Sequence, residues 1–168
     1  MLAAGAAAAD VDVRYDDKTD EGVVSALDDE TLSCSYAPQF AVSYLTKGDP
    51  AKRAKPTQFT ISFVYDDVPS SEVPDRTGIT VVATVGKARH RWIAAVGSDR
   101  WPNCKNDCDL VVTVAVSSAD VHAITKSKTV LRLFRADCEL PKSARDTIGT
   151  LLREAPAFSK TWKPPAAE

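Results

Sequence analysis

Along most of this chain, apolar side chains recur at every second residue in short runs separated by turn formers. The clearest run is Gln58 to Tyr65, where Phe59, Ile61, Phe63 and Tyr65 alternate with Thr60, Ser62 and Val64. Period-two alternation built from aromatic and β-branched residues marks a half-buried strand. Ile79 to Val85 repeats the pattern, Gly86-Lys87 supplies a hairpin turn, and Arg89 to Val96 is the return strand with His90, Trp92, Ala94 and Val96 on one face. Leu110 to Val116 is apolar on both faces, which suits a strand in the middle of a sheet. Val11 to Tyr15, Thr31 to Tyr36, Phe40 to Thr46 and Thr129 to Arg135 are shorter strand candidates. The acidic stretch from Asp16 to Glu30 reads as a solvated connection, and the strand from Gln58 is expected to stop at Asp66-Asp67.

Two segments have helical spacing instead. Ser117-Ser118-Ala119-Asp120 offers an N-cap and an acidic first turn to a short helix in which Val121 and Ile124 share a face. After Pro141, a residue tolerated at a helix start, Ala144, Ile148, Leu151, Leu152 and Ala155 fall on one stripe that ends at Pro156. Six to eight strands with these two additions predict a mainly β fold. It is either a β-sandwich or a barrel-like antiparallel sheet, with a short helix and a C-terminal amphipathic helix. Residues 10–156 are read as a single β-rich domain and 157–168 as a flexible tail.

Composition adds exclusions. At 168 residues the chain is long enough for folding to remove roughly 70% of its extended surface. Lys plus Arg number 21 against 23 Asp plus Glu, a net charge of -2, without the basic excess expected of a nucleic-acid binder. No stretch approaches the ~20 apolar residues that a membrane-spanning helix needs.

Residues 1–9 are small and apolar from Leu2 onward and end in Ala7-Ala8-Ala9 before Asp10, which resembles the end of a secretory signal. They are read as a residual signal-peptide segment, with a plain Ala-rich tail as the alternative. Residue 6 is alanine where a lipid-anchored protein would carry cysteine, so a soluble periplasmic or secreted protein is favoured. The four cysteines fit that compartment. Of their three possible pairings, the short gap between Cys104 and Cys108 favours a local bond there, leaving Cys34 to join Cys138. A four-cysteine zinc site is the alternative, but zinc knuckles usually have a two-residue gap and only one close pair exists.

Candidate chemistry is sparse. His90 and His122 are the only histidines, no Gly-x-Ser-x-Gly elbow accompanies them, and both read as structural. Asp66-Asp67 and Asp107 with Asp109 are the acidic loops in which calcium or a hydrolytic carboxyl pair would have to sit. Neither matches an EF-hand spacing, and aspartates at strand ends usually serve turns. No phosphate loop, dinucleotide fingerprint or His-Glu-x-x-His motif is present, so no cofactor or metal is expected. The basic run Lys87-Ala88-Arg89-His90-Arg91 offers a contact for lipid head groups or a polysaccharide, with a solvated hairpin as the plainer reading. Trp101, beside Arg100 in the loop with Cys104, Cys108, Asp107 and Asp109, is the candidate binding constellation.

These observations favour a non-enzymatic exported module that binds a protein or glycan partner. A carbohydrate-binding domain using Trp101 is the alternative, and a small hydrolase with an acidic loop is a more distant one.

Overall fold

The computed structural model describes residues 10–52, 56–73, 79–97, 106–133 and 136–154. Its strands are β1 (Val11–Asp16), β2 (Glu21–Thr31), β3 (Gln39–Lys47), β4 (Pro56–Pro69), β5 (Ile79–Val85), β6 (Ala88–Gly97), β7 (Asp107–Val116), β8 (Thr129–Leu133) and β9 (Ala136–Glu139). Helix α1 (Ser118–Lys126) lies between β7 and β8, and α2 (Lys142–Glu154) follows β9. The described strands form one sheet in the order β1-β2-β3-β4-β7-β6-β5-β8-β9, and every neighbouring pair is antiparallel. The expectation of a mainly β fold with two helices holds, in its barrel-like form. The doubly apolar strand is β7, and it does occupy the central position.

The sheet cannot be flat. Seven strand steps separate β2 from β9, which at ~4.8 Å per step would set them roughly 34 Å apart in a planar sheet. Yet Cys34, just after β2, is disulfide-bonded to Cys138 of β9 with a Cα–Cα distance of 5.3 Å. The sheet is therefore rolled until the β2–β3 connection near one end reaches β9 at the other, a curvature that strand twist supplies. Cys108 is disulfide-bonded as well, while Cys104, the partner expected for it, lies outside the described residues.

Rolling gives each strand an inner and an outer face, and the alternation in the sequence decides which is which. Phe40, Val42 and Tyr44 of β3, Phe59, Ile61, Phe63 and Tyr65 of β4, and Leu110, Val112 and Val114 of β7 are all buried in one core with Val81, Ala83, Trp92 and Leu131. Phe40 and Phe63 meet edge-on at 6.0 Å between ring centroids, an arrangement aromatic quadrupoles favour. On the outer face, Ser43 hydrogen-bonds Thr60 and Ser62 hydrogen-bonds Thr113, small polar pairs that leave that surface level. The interior is completed by α2, whose Ala144, Thr147, Ile148 and Leu151 turn inward while the helix packs on β2, β3 and α1. Spacing of three and four residues is what places those side chains on one helical face. No helix among the described residues is long and apolar enough to cross a membrane.

Four local expectations are corrected. The acidic stretch 16–30 is largely strand β2, because Val24, Ala26 and Asp28 alternate inward within it. Asp28 is buried there and its Oδ1 accepts from the Glu30 N–H at 3.3 Å, where the β2–β3 register shifts. Residues 32–36, expected as strand, instead form the irregular β2–β3 connection, with Tyr36 and Ala37 at positive φ. Strand β4 does not stop at Asp66-Asp67. It bulges there, with Asp67 at φ 56°, and resumes with Val68 buried opposite Cys108, because one extra residue restores the inward phase. Finally β9 was not anticipated, since four residues are too few to show a period.

Two stability tests follow. Replacing Cys34 and Cys138 together by serine releases a loop of 104 residues. The loss should be about 2–5 kcal/mol, read as a thermal midpoint lowered by roughly 5–20 °C. Gly22 of β2 admits Pro50 and Thr46 so closely that an added Cβ would come within 2.4 Å of both. Gly22→Ala should accordingly cost about 1–3 kcal/mol in urea unfolding, and an unchanged midpoint would show that this contact is not tight in solution.

Candidate functional site

Strand β6 is the element where structure adds most to the sequence. Its inner face carries Trp92 and Ala94, both buried, and the half-buried His90. The opposite phase must then point outward, and it carries Arg89, Arg91, Ile93 and Ala95. Ile93 is 80% exposed, more than any other large apolar residue of the described chain. Arg91 lies across from Val82 of β5, which lies across from Arg132 of β8; Arg89 lies across from Thr84, then Val130. Ile93 lies across from Thr80, and continuing the β6–β7 register by one residue sets Ala115 on its other side. Flanked by Thr80 and Ala115, two smaller residues, the isoleucine stands proud of the sheet.

The charges around this patch divide unequally. Arg132 is held by Asp137 of β9 in a two-pronged pair of 2.7 and 3.0 Å. Hydrogen bonding to that guanidinium lowers the Asp137 pKa, and the same bond raises that of Arg132. Lys128 pairs with Glu139 at 2.7 Å. No carboxylate among the described residues pairs with Lys87, Arg89 or Arg91. At the other edge of the sheet, β1 and the turn after it carry Asp12, Asp16, Asp17 and Asp20 beside Arg14 and Lys18, with Arg14 paired to Asp12 at 2.6 Å.

On the inner side of β6, His90 reaches α1. Its Nδ1 lies 3.4 Å from Asp120 Oδ1, and its ring lies 6.0 Å from that of Trp92. The first turn of α1 is fixed as the sequence predicts, with the Asp120 N–H donating to Ser117 Oγ at 3.1 Å. His122, exposed on the same helix, donates from Nδ1 to the Ser118 carbonyl at 2.8 Å. Ser117 Oγ is thus occupied as a cap, and the His90–Asp120 pair serves to hold the β5–β6 hairpin against the helix.

Of the residues singled out from the sequence, Trp101 and Arg100 lie outside the described residues. Asp107 opens β7 opposite Pro69, and Asp109 accepts from the Asp67 N–H at 3.4 Å, supporting the β4 bulge. Among the described residues no group of three or more His, Cys, Asp or Glu is placed to hold a metal ion. The residue that sequence reading missed is Ile93. Its signal was its phase, in step with the two arginines and out of step with Trp92. No family model, curated protein or solved structure matches the chain.

All four tyrosines of the chain are shifted upward. A hydrogen bond to Asp20 raises Tyr15 and one to Glu72 raises Tyr36. Burial raises Tyr65 and pushes Tyr44 from 10.0 up to about 12. A group whose folded pKa exceeds its unfolded one stabilises the fold below the unfolded value and loses that contribution as pH climbs through the folded one. Stability should therefore fall between pH 10 and about 12 as the Tyr44 phenol is forced to ionise. Tyr44→Phe combined with Tyr65→Phe should move the alkaline unfolding midpoint upward in circular dichroism. Tyrosinate absorbance that rises fully near pH 10 with the fold intact would contradict this burial.

Proposed function

We propose that this protein is a non-catalytic module of the cell envelope or extracellular space, and that it binds another macromolecule through the outer surface of its sheet. The observation that carries the reading is the outer face of β6, where Arg89 and Arg91, which no carboxylate among the described residues pairs, stand beside an isoleucine that is 80% exposed. Strands of an antiparallel sheet usually keep their water-facing side polar, so a prominent aliphatic residue there favours a contact surface. The oxidised Cys34–Cys138 bond supports a location outside the reducing cytoplasm, where such bonds persist. The Ala7-Ala8-Ala9 triplet supports the same route.

One fractionation of host cells tests both parts. The chain should be recovered with envelope or extracellular material, and its cysteines should resist alkylation until reduced. Recovery in the cytoplasmic fraction with alkylatable thiols would overturn the reading.

A further inference from the structure

Resting on that reading of the β6 surface, we infer that its partner is an anionic lipid surface, met by Lys87, Arg89, Arg91 and Ile93. Three features argue for it together. The first is charge. Lys87 lies in the β5–β6 turn, and Arg89 and Arg91 project from one face of β6, about 7 Å apart as alternate strand residues are. Asp137 and Glu139 of β9 are already held by Arg132 and Lys128, and Asp120 lies on the inner side beside His90. Among the described residues the patch therefore presents positive charge that no carboxylate pairs.

The second feature is the exposed isoleucine. An aliphatic side chain gains by entering the boundary between head groups and acyl chains. It gains little on a hydrated polysaccharide or a nucleic acid, where flat aromatic rings do the stacking. The third is shape. Thr80, Val82, Thr84 and Ala115 around it are short, so an extended planar surface can approach the arginines and Ile93 at once.

Co-sedimentation of the full chain with vesicles decides the matter. Binding is expected to phosphatidylcholine vesicles containing phosphatidylglycerol, not to phosphatidylcholine alone, and should weaken as salt rises. Each of Arg89→Ala and Arg91→Ala should lower the vesicle partition coefficient about 5-fold, additively in free energy. Ile93→Ser should lower it without changing its salt dependence, and Lys18→Ala in the β1–β2 turn should leave it unchanged. All four positions are exposed, so circular dichroism should show every variant folded. Equal binding to neutral vesicles, or none to anionic ones, overturns the inference. Retention on heparin, lost in the arginine variants and unaccompanied by vesicle binding, overturns the lipid assignment while leaving the broader macromolecule-binding reading to its own fractionation test.

Discussion

Closure of the sheet is the constraint on which the rest of the structure depends. Laid flat, the nine described strands in antiparallel order would leave a long apolar face and both edges open, and neither is compatible with a stable isolated domain. Rolling hides one face of every central strand against the others and reduces the problem to a single seam. The Cys34–Cys138 bond lies at that seam, joining the β2–β3 connection to the last strand. It acts on the unfolded chain as much as on the folded one, since a link across 104 residues removes many open conformations.

Given the closed sheet, the interior has to be filled at close to crystalline density. Strands β3 and β4 supply large side chains and β6 supplies Trp92, whereas Ala83 of β5 and Ala94 of β6 are small. Helix α2 supplies its Ile148 and Leu151 from the side of β2 and β3. The packing is tight at Gly22, the second residue of β2, where a methyl group would collide with Pro50 and Thr46. Register shifts that leave extra residues on β2 and, twice, on β4 let the strands bend without losing the inward phase of their apolar residues.

The same closure organises the outside. Residues that face water on a half-buried sheet are free to carry function, because changing them leaves the core untouched. Here the outer residues of β6 are cationic and apolar, while the surface around β1 is acidic. The separation arises from register. Antiparallel pairing aligns Arg91 with Arg132 through Val82, and the adjoining strand β9 then neutralises Arg132 alone.

Period-two alternation by itself determined β3 through β6 and the inward faces of β4, β5 and β6, because burial on one face writes a pattern that composition cannot mimic, and the run 110–116, apolar on both faces, marked β7 and its central position. Ser117 and Pro141 likewise marked both helix starts, and the close Cys104–Cys108 spacing pointed to the remaining pair Cys34 and Cys138. The acidic content of residues 16–30 concealed β2, since a carboxylate at an inward position such as Asp28 has no sequence signature apart from its phase. Strand β9 was invisible because it is short, and the continuation of β4 past Asp67 because a bulge breaks the period it follows. Only the tertiary structure decided that the sheet rolls far enough to bring Cys34 to β9, that His90 meets Asp120, and that Arg132 is neutralised while no described carboxylate pairs with Arg89 or Arg91. Those outcomes depend on which distant strands become neighbours, and pairing between segments far apart in the chain is set by the packing of the whole interior.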